Sequence, residues 1–129
     1  MSSCSVKNGD TKRFRLAYVM APGGTSNAAA EKFKDLVHEK SDGKIKVKLY
    51  PNGILGNDRV LVEGLRLKSI DMVITGTSII GWNAPEYGLI EAPFLFRDYE
   101  HMEKVMNGEI GKEIEAAVYK KRKIHFLAI

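Results

Sequence analysis

The sequence holds a single cysteine, Cys4, so no internal disulfide can form. Its three histidines, His38, His101 and His125, stand far apart and share no metal-ligand spacing with Cys4. Each reads as a helix-surface or strand-end residue, and no metal or cofactor is expected. No apolar run reaches the length of a bilayer span. There is no G-x-S-x-G elbow, no Walker loop and no paired histidine motif. The catalytic inventory is therefore thin, and the chain does not read as an enzyme. Internal repeats and low-complexity stretches are also missing.

What is present suits a folded domain. A length of 129 residues can bury a real core, and 44% hydrophobic with 28% charged residues argues against disorder. The net charge of +4 and a pI near 9.2 favour acidic partners: nucleic acid, anionic lipid or small anions. Most of that charge is scattered. The one dense run, Lys120 to Lys123, reads as a helix end meeting the negative pole of its dipole. No aromatic residues interleave with these cations, so a nucleic-acid surface is the weaker reading and no nucleic-acid partner is expected. Residues 1–13 read as a leader or tail whose start, Met1-Ser2-Ser3-Cys4-Ser5, is not an intact signal peptide. Cys4 is either a lipoprotein anchor or an incidental tail cysteine.

Residues Phe14 to Val19 read as a first strand, closed by the Ala21-Pro22-Gly23-Gly24 loop. Thr25, Ser26 and Asn27 are candidate caps of a helix that carries Ala29, Phe33, Leu36 and Val37 at helical spacing. Gly43 suits its left-handed stop. Ile45, Val47 and Leu49 alternate with Lys44, Lys46 and Lys48, as in a half-exposed strand with a lysine-protected edge. A second helix starts at Gly56 or Asn57, with Asp58 in its first turn. Gly64 either permits close packing there or weakens the helix. The apolar run within Asp71 to Thr75 predicts a central strand buried on both faces. Trp82 falls in a connector, and Ala92 to Phe96 reads as extended. Helices near Tyr99 to Asn107 and Ile110 to Arg122 and a last strand, Ile124 to Ile129, complete the pattern.

Such alternation defines an α/β layer with a largely parallel sheet flanked by helices. Ligands of these sheets sit outside the carboxyl ends of the strands. That directs attention to Val19 to Asn27, Leu55 to Arg59, Thr75 to Trp82 and Ala92 to Phe96. Pro22 to Ser26 could hold an anion on backbone N–H groups or be a capped tight turn. Asp58 with Arg59 reads as a pocket pair or as a first-turn carboxylate beside a solvated arginine. Trp82, Phe94 and Phe96 are core candidates before they are ligand platforms.

Three stretches together are more specific. They are Lys40-Ser41-Asp42-Gly43-Lys44-Ile45-Lys46-Val47 running into Tyr50-Pro51-Asn52-Gly53-Ile54-Leu55-Gly56-Asn57-Asp58-Arg59, then Glu63-Gly64-Leu65-Arg66-Leu67-Lys68-Ser69-Ile70-Asp71-Met72, then Ala92-Pro93-Phe94-Leu95-Phe96-Arg97-Asp98-Tyr99. In order and spacing this set resembles the solute-binding proteins of tripartite ATP-independent periplasmic (TRAP) transporters, dicarboxylate-binding type. The likeness runs from about Phe14 to the end.

The resemblance implies a periplasmic binding protein type II-like fold that closes two lobes on an organic acid, extracytoplasmic or periplasmic, with membrane subunits as partners. Residues 14–129 would be a partial N-terminal lobe. The second lobe, with its carboxylate-clamping arginine, would be absent, leaving a fragment that binds weakly. Carried over position by position, the substrate-binding candidates are Val19, Met20, Asp58, Thr75, Gly76, Ile79, Trp82 and Phe94. The apolar character at Gly76 and Ile79, with Trp82 nearby, favours a less polar carboxylate over a sugar acid. The competing reading is a small α/β enzyme or regulatory domain.

Overall fold

The computed structural model describes residues 11–128. Cys4, most of the leader and Ile129 lie outside them. The chain divides into two compact units, the first ending at Ile74 and the second beginning at Thr75.

The first unit is a three-stranded, wholly parallel sheet in the order β2-β1-β3. Strand β1 is Lys12–Tyr18, β2 is Ile45–Tyr50 and β3 is Met72–Ile74. Helix α1 (Thr25–Lys40) joins β1 to β2, and α2 (Asp58–Arg66) joins β2 to β3. Residue parity along the strands sorts the core onto two faces. Leu16, Tyr18 and Val47 pack with Ala30, Phe33 and Val37 of α1. Ala17 packs with Leu61 and Leu65 of α2, and with Ile70 and Val73. The two helices thus cover opposite faces, which is why β1, buried on both, holds the centre.

The expectation that Asp71 to Thr75 forms the central strand is therefore corrected. β3 has three residues, all half-buried, and among the described residues pairs only with β1. A continuous apolar run marks burial, but a sheet's centre is set by which strand finds two partners, and only β1 does. β2 lies at an edge as expected, with Lys44, Lys46 and Lys48 exposed.

The first helix starts at Gly24, with no side-chain cap. Asn27 is engaged elsewhere: its Oδ1 accepts the hydroxyl of the fully buried Tyr18 at 2.7 Å. A buried tyrosine needs such a partner. Burial, aided by the nearby Glu31 carboxylate, raises the Tyr18 pKa. Gly43 does take a positive φ of 74° after α1. Between β3 and β1, Arg15 Nε donates to Asp71 Oδ2 at 2.9 Å, and the Arg15 backbone N–H donates to the same oxygen at 2.7 Å. That hydrogen bonding holds the Asp71 carboxyl below its ordinary range and raises Arg15.

The second unit is helical. Helix α3 (Ser78–Asn83) leads into a 3-10 helix (Pro85–Glu91), then α4 (Tyr99–Met106) and α5 (Glu109–Arg122). Its buried residues include Ile79, Ile80, Ala84, Met106, Ile114, Val118 and Ile124. Asp98 caps α4 by accepting the His101 N–H at 2.7 Å. Gly111 packs onto the turn before α5 so closely that a Cβ would stand 1.6 Å from the Met106 carbonyl oxygen. The cationic run does close α5, and Lys121 pairs with Glu86 at 3.0 Å.

Four local expectations change here. Residues 124–128 form no strand, since no other strand of this unit is described for them to pair with. The Ala92 to Phe96 stretch is not extended: Leu95 N–H donates to Ala92 C=O at 3.3 Å, and Phe94 sits at φ 63°. Phe94 is fully exposed and so is not core. Trp82 belongs to α3 rather than to a loop.

Candidate functional site

Parallel pairing brings the carboxyl ends of all three strands to one end of the sheet, at Tyr18, Tyr50 and Ile74. The connection from β1 goes to α1 on one face and that from β2 goes to α2 on the other. This is a topological switch point, where adjacent connections part and leave a crevice.

Two of the sequence-derived residues, Val19 and Met20, follow β1 directly and are half-buried. The turn after β2 is laced to them. Asn52 N–H donates to Met20 C=O at 3.0 Å, and Gly53 N–H donates to Tyr18 C=O at 3.1 Å. That turn places Asn57 as the cap of α2, its Oδ1 accepting the Val60 N–H at 3.1 Å. Gly56 makes the approach possible with φ 120°, and a Cβ there would meet Val60 Cγ1 at 2.6 Å. Asp58 is consequently the first residue of α2, half-buried, at the positive end of the helix dipole. Val19, Met20, Asn52, Gly53 and Asp58 are therefore gathered at the sheet's carboxyl end. Sequence reading missed the backbone groups of Asn52 and Gly53, because their pairing with β1 is non-local.

The other candidates belong to the second unit. Thr75 and Gly76 open it, Ile79 is only 7% exposed within its core, and Trp82 on α3 is 40% exposed. Gly81 lets α3 lie against Gly88 of the 3-10 helix, while Thr77 Oγ1 donates to Glu91 at 3.4 Å. Phe94 stands apart on its own turn. A cleft of about 350 Å³ in this unit is lined by Tyr87, Leu89, Ile90, Phe96, Val105 and Ile110 among others. None of the eight substrate-binding candidates lines it, although Leu95 and Phe96 of the Ala92 to Phe96 stretch do, and its walls are chiefly apolar. Among the described residues, no three His, Cys, Asp or Glu side chains group as a metal site, and no helix is long and apolar enough to cross a membrane.

A parallel sheet with helices on both faces and its loops gathered at one end defines the class, an α/β lobe of the periplasmic-binding-protein type. The chain belongs to the family of bacterial extracellular solute-binding proteins, family 7, whose pattern it matches over residues 16–129. It is 39% identical over 101 residues to the C4-dicarboxylate-binding protein DctB of Bacillus subtilis, a match covering 78% of this chain and 29% of that one. It is 35% identical over 104 residues to the 2,3-diketo-L-gulonate-binding periplasmic protein YiaO of Escherichia coli, covering 81% and 32%. Among solved structures it resembles a TRAP periplasmic solute-binding protein of Roseobacter denitrificans with bound L-galactonate. There the TM-score is 0.81 with 31% identity, over 88% of this chain and 37% of that one. A TRAP solute-binding protein of Sulfurospirillum deleyianum with bound succinate gives a TM-score of 0.80 and 29% identity, over 88% and 36%. The chain spans about a third of the length of these relatives.

Proposed function

We propose that this chain is the first lobe of an extracytoplasmic solute-binding component of a TRAP-type transporter, which captures an organic-acid anion for delivery to membrane subunits. The observation that carries the reading is the shared fold, at a TM-score of 0.81, with a relative that holds a sugar acid. The position of the candidates supports it: Val19, Met20 and Asp58 stand at the carboxyl end of a parallel sheet, where sheets of this kind take their ligands. On this reading the chain is a carrier and not an enzyme.

The candidates for solute contact in the first unit are Val19, Met20 and Asp58; in the second unit they are Thr75, Gly76, Trp82 and Phe94, whereas Ile79 is buried in that unit's core. Phe94 is the most instructive. A bulky residue at φ 63° with its ring in solvent carries backbone strain without a packing reward of its own. Such a residue suits contact with a further surface, such as a second lobe. Asp58 accepts hydrogen bonds from solute hydroxyls and repels a carboxylate, so it orients the anionic end away from α2. Cys4 is the acylated residue that tethers the protein outside the cytoplasm.

Calorimetric titration of a chain of the relatives' full length with succinate, L-galactonate and a less polar monocarboxylate tests the reading. Saturable one-to-one binding of a carboxylate is expected, strongest for the less polar acids because the exposed Gly76 offers no side-chain hydrogen bond. Heat with none of them, beside turnover of any ester or phosphate substrate, would favour a small α/β enzyme instead.

A further inference from the structure

The amino-terminal half of the sheet carries a feature that solute capture does not use. In the β1–β2 register Arg13 stands opposite Lys46 and Arg15 opposite Lys48. Parity puts all four on the α2 face of the sheet, because Ala17 and its partner Tyr50 lie on that face. Lys44 immediately precedes β2, and its carbonyl accepts the Lys12 N–H at 2.9 Å. Lys68 lies alongside, since Arg15 Nη2 donates to its carbonyl at 2.8 Å. Six cations therefore share one region. Asp71 offsets Arg15 at 2.9 Å, and Lys48 lies over the Tyr50 ring at 5.1 Å. Arg13, Lys44, Lys46 and Lys68 are exposed and form no ion pair with a described carboxylate.

Edge protection explains the lysines of the outer strand β2, but not Arg13 and Arg15, which face them from the central strand. Opposite charges facing each other across the pair would serve there as well, whereas cations held side by side repel. A surface that keeps Arg13 against Lys46, with Lys44 and Lys68 near them and no described carboxylate paired to any of the four, suits an external polyanion.

We infer that this face docks on an anionic phospholipid surface. Charge complementarity favours it, and so does chain order: Cys4 precedes β1 by only a short stretch of sequence. Arg13, Lys44, Lys46 and Lys68 lie toward the amino ends of the strands, away from the end where the solute loops gather. This step goes beyond solute capture and rests on the proposed function only for the acylation of Cys4.

The test is vesicle sedimentation of the unacylated 129-residue chain. One vesicle set is pure phosphatidylcholine; the other contains about one-third phosphatidylglycerol. Binding to the second alone, weakening as salt rises, is expected. Each patch lysine contributes about fivefold in partitioning. K46E/K48E should therefore bind at least about 25-fold more weakly, and K46Q/K48Q should show a smaller loss in the same direction. The control K112E/K120E makes the same net charge change on the helical unit and should retain most binding. Circular dichroism of each variant reports folding, and the glutamine pair, which adds no new charge, keeps the test valid should the glutamate pair unfold. Equal loss in the control would overturn the patch. Binding to soluble polyglutamate but not to vesicles would replace the membrane with an acidic protein partner. No binding to either vesicle would also overturn the inference.

Discussion

Gly64 lies in α2, where sequence offers two opposed readings: a weak point in the helix or a site of close approach. The structure decides between them by distance. A Cβ at Gly64 would stand 2.8 Å from Ile70 Cδ1, 3.1 Å from Ile70 Cγ1 and 3.2 Å from Ser69 Oγ. Ile70 is 5% exposed and packs with Ala17 and Leu61, so its tip has little room to retreat. The backbone cannot yield easily either, because Gly64 C=O accepts Ser69 N–H at 2.9 Å and Ile70 N–H at 3.2 Å. Replacing glycine by alanine in a helix gains about 1 kcal/mol from propensity. Overpacking a filled core costs about 1–3 kcal/mol. The contacts under 3.4 Å involve two residues fixed by those hydrogen bonds, so the packing term wins. Gly64→Ala should destabilise the chain by about 1 kcal/mol in urea denaturation. Removing the obstructing methyl should reverse the sign. Ile70→Val alone costs about 0.5–1.5 kcal/mol, while Gly64→Ala/Ile70→Val should be no less stable than Ile70→Val. That outcome is a favourable coupling, readable in a double-mutant cycle. If Gly64→Ala alone raises the urea midpoint, the close-packing account of α2 on the sheet is wrong.

Other consequences follow from single contacts. Gly111→Ala sets a methyl 1.6 Å from the Met106 carbonyl oxygen, and its cost should reach the upper end of about 1–3 kcal/mol or beyond; a midpoint within error of the parent's would refute that packing. Tyr18→Phe removes the hydroxyl donated to Asn27, and about 1 kcal/mol should be lost, with Tyr18→Phe/Asn27→Ala no worse than the sum of its parts. The Asp71 carboxyl is held low by Arg15, so its contribution to stability is full above the ordinary carboxylate range. It is lost as pH falls through the depressed folded value. Asp71→Asn should accordingly flatten the acid limb of a stability-versus-pH curve, and an unchanged slope would show that the pair does not couple to folding.

The alternating elements were legible because each is written locally. Lysine alternation gave β2, the Asn57–Asp58 start gave α2, and Ile114 and Val118 gave the buried stripe of α5. What was not legible depends on distant partners. The rank of β3 in the sheet turned on β1 finding two neighbours, not on its own apolar run. Asn27 looked like a cap, but a buried tyrosine from another element claimed it. Helix α3 escaped notice because six residues, two of them Gly81 and Trp82, give too short a window for periodicity. At the candidate site, the position of Asp58 at a helix start could be read from sequence. The lacing of Asn52 and Gly53 onto β1 could not, since it is a backbone pairing across the chain. Phe94 misled because its apolar side chain suggested core, while its backbone adopts a left-handed turn that turns the ring to solvent.

The central claim is that this lobe supplies half of an organic-acid pocket. The most direct measurement is calorimetric titration of the 129-residue chain beside a chain of the relatives' full length, using the same carboxylate. Loss of a buried charge-assisted pair costs about 2–5 kcal/mol. The short chain should therefore bind about one and a half to three and a half decades more weakly, and Asp58→Ala in the full-length chain should change solute preference. Equal tight binding by both chains would contradict the account, since the second lobe would then contribute nothing.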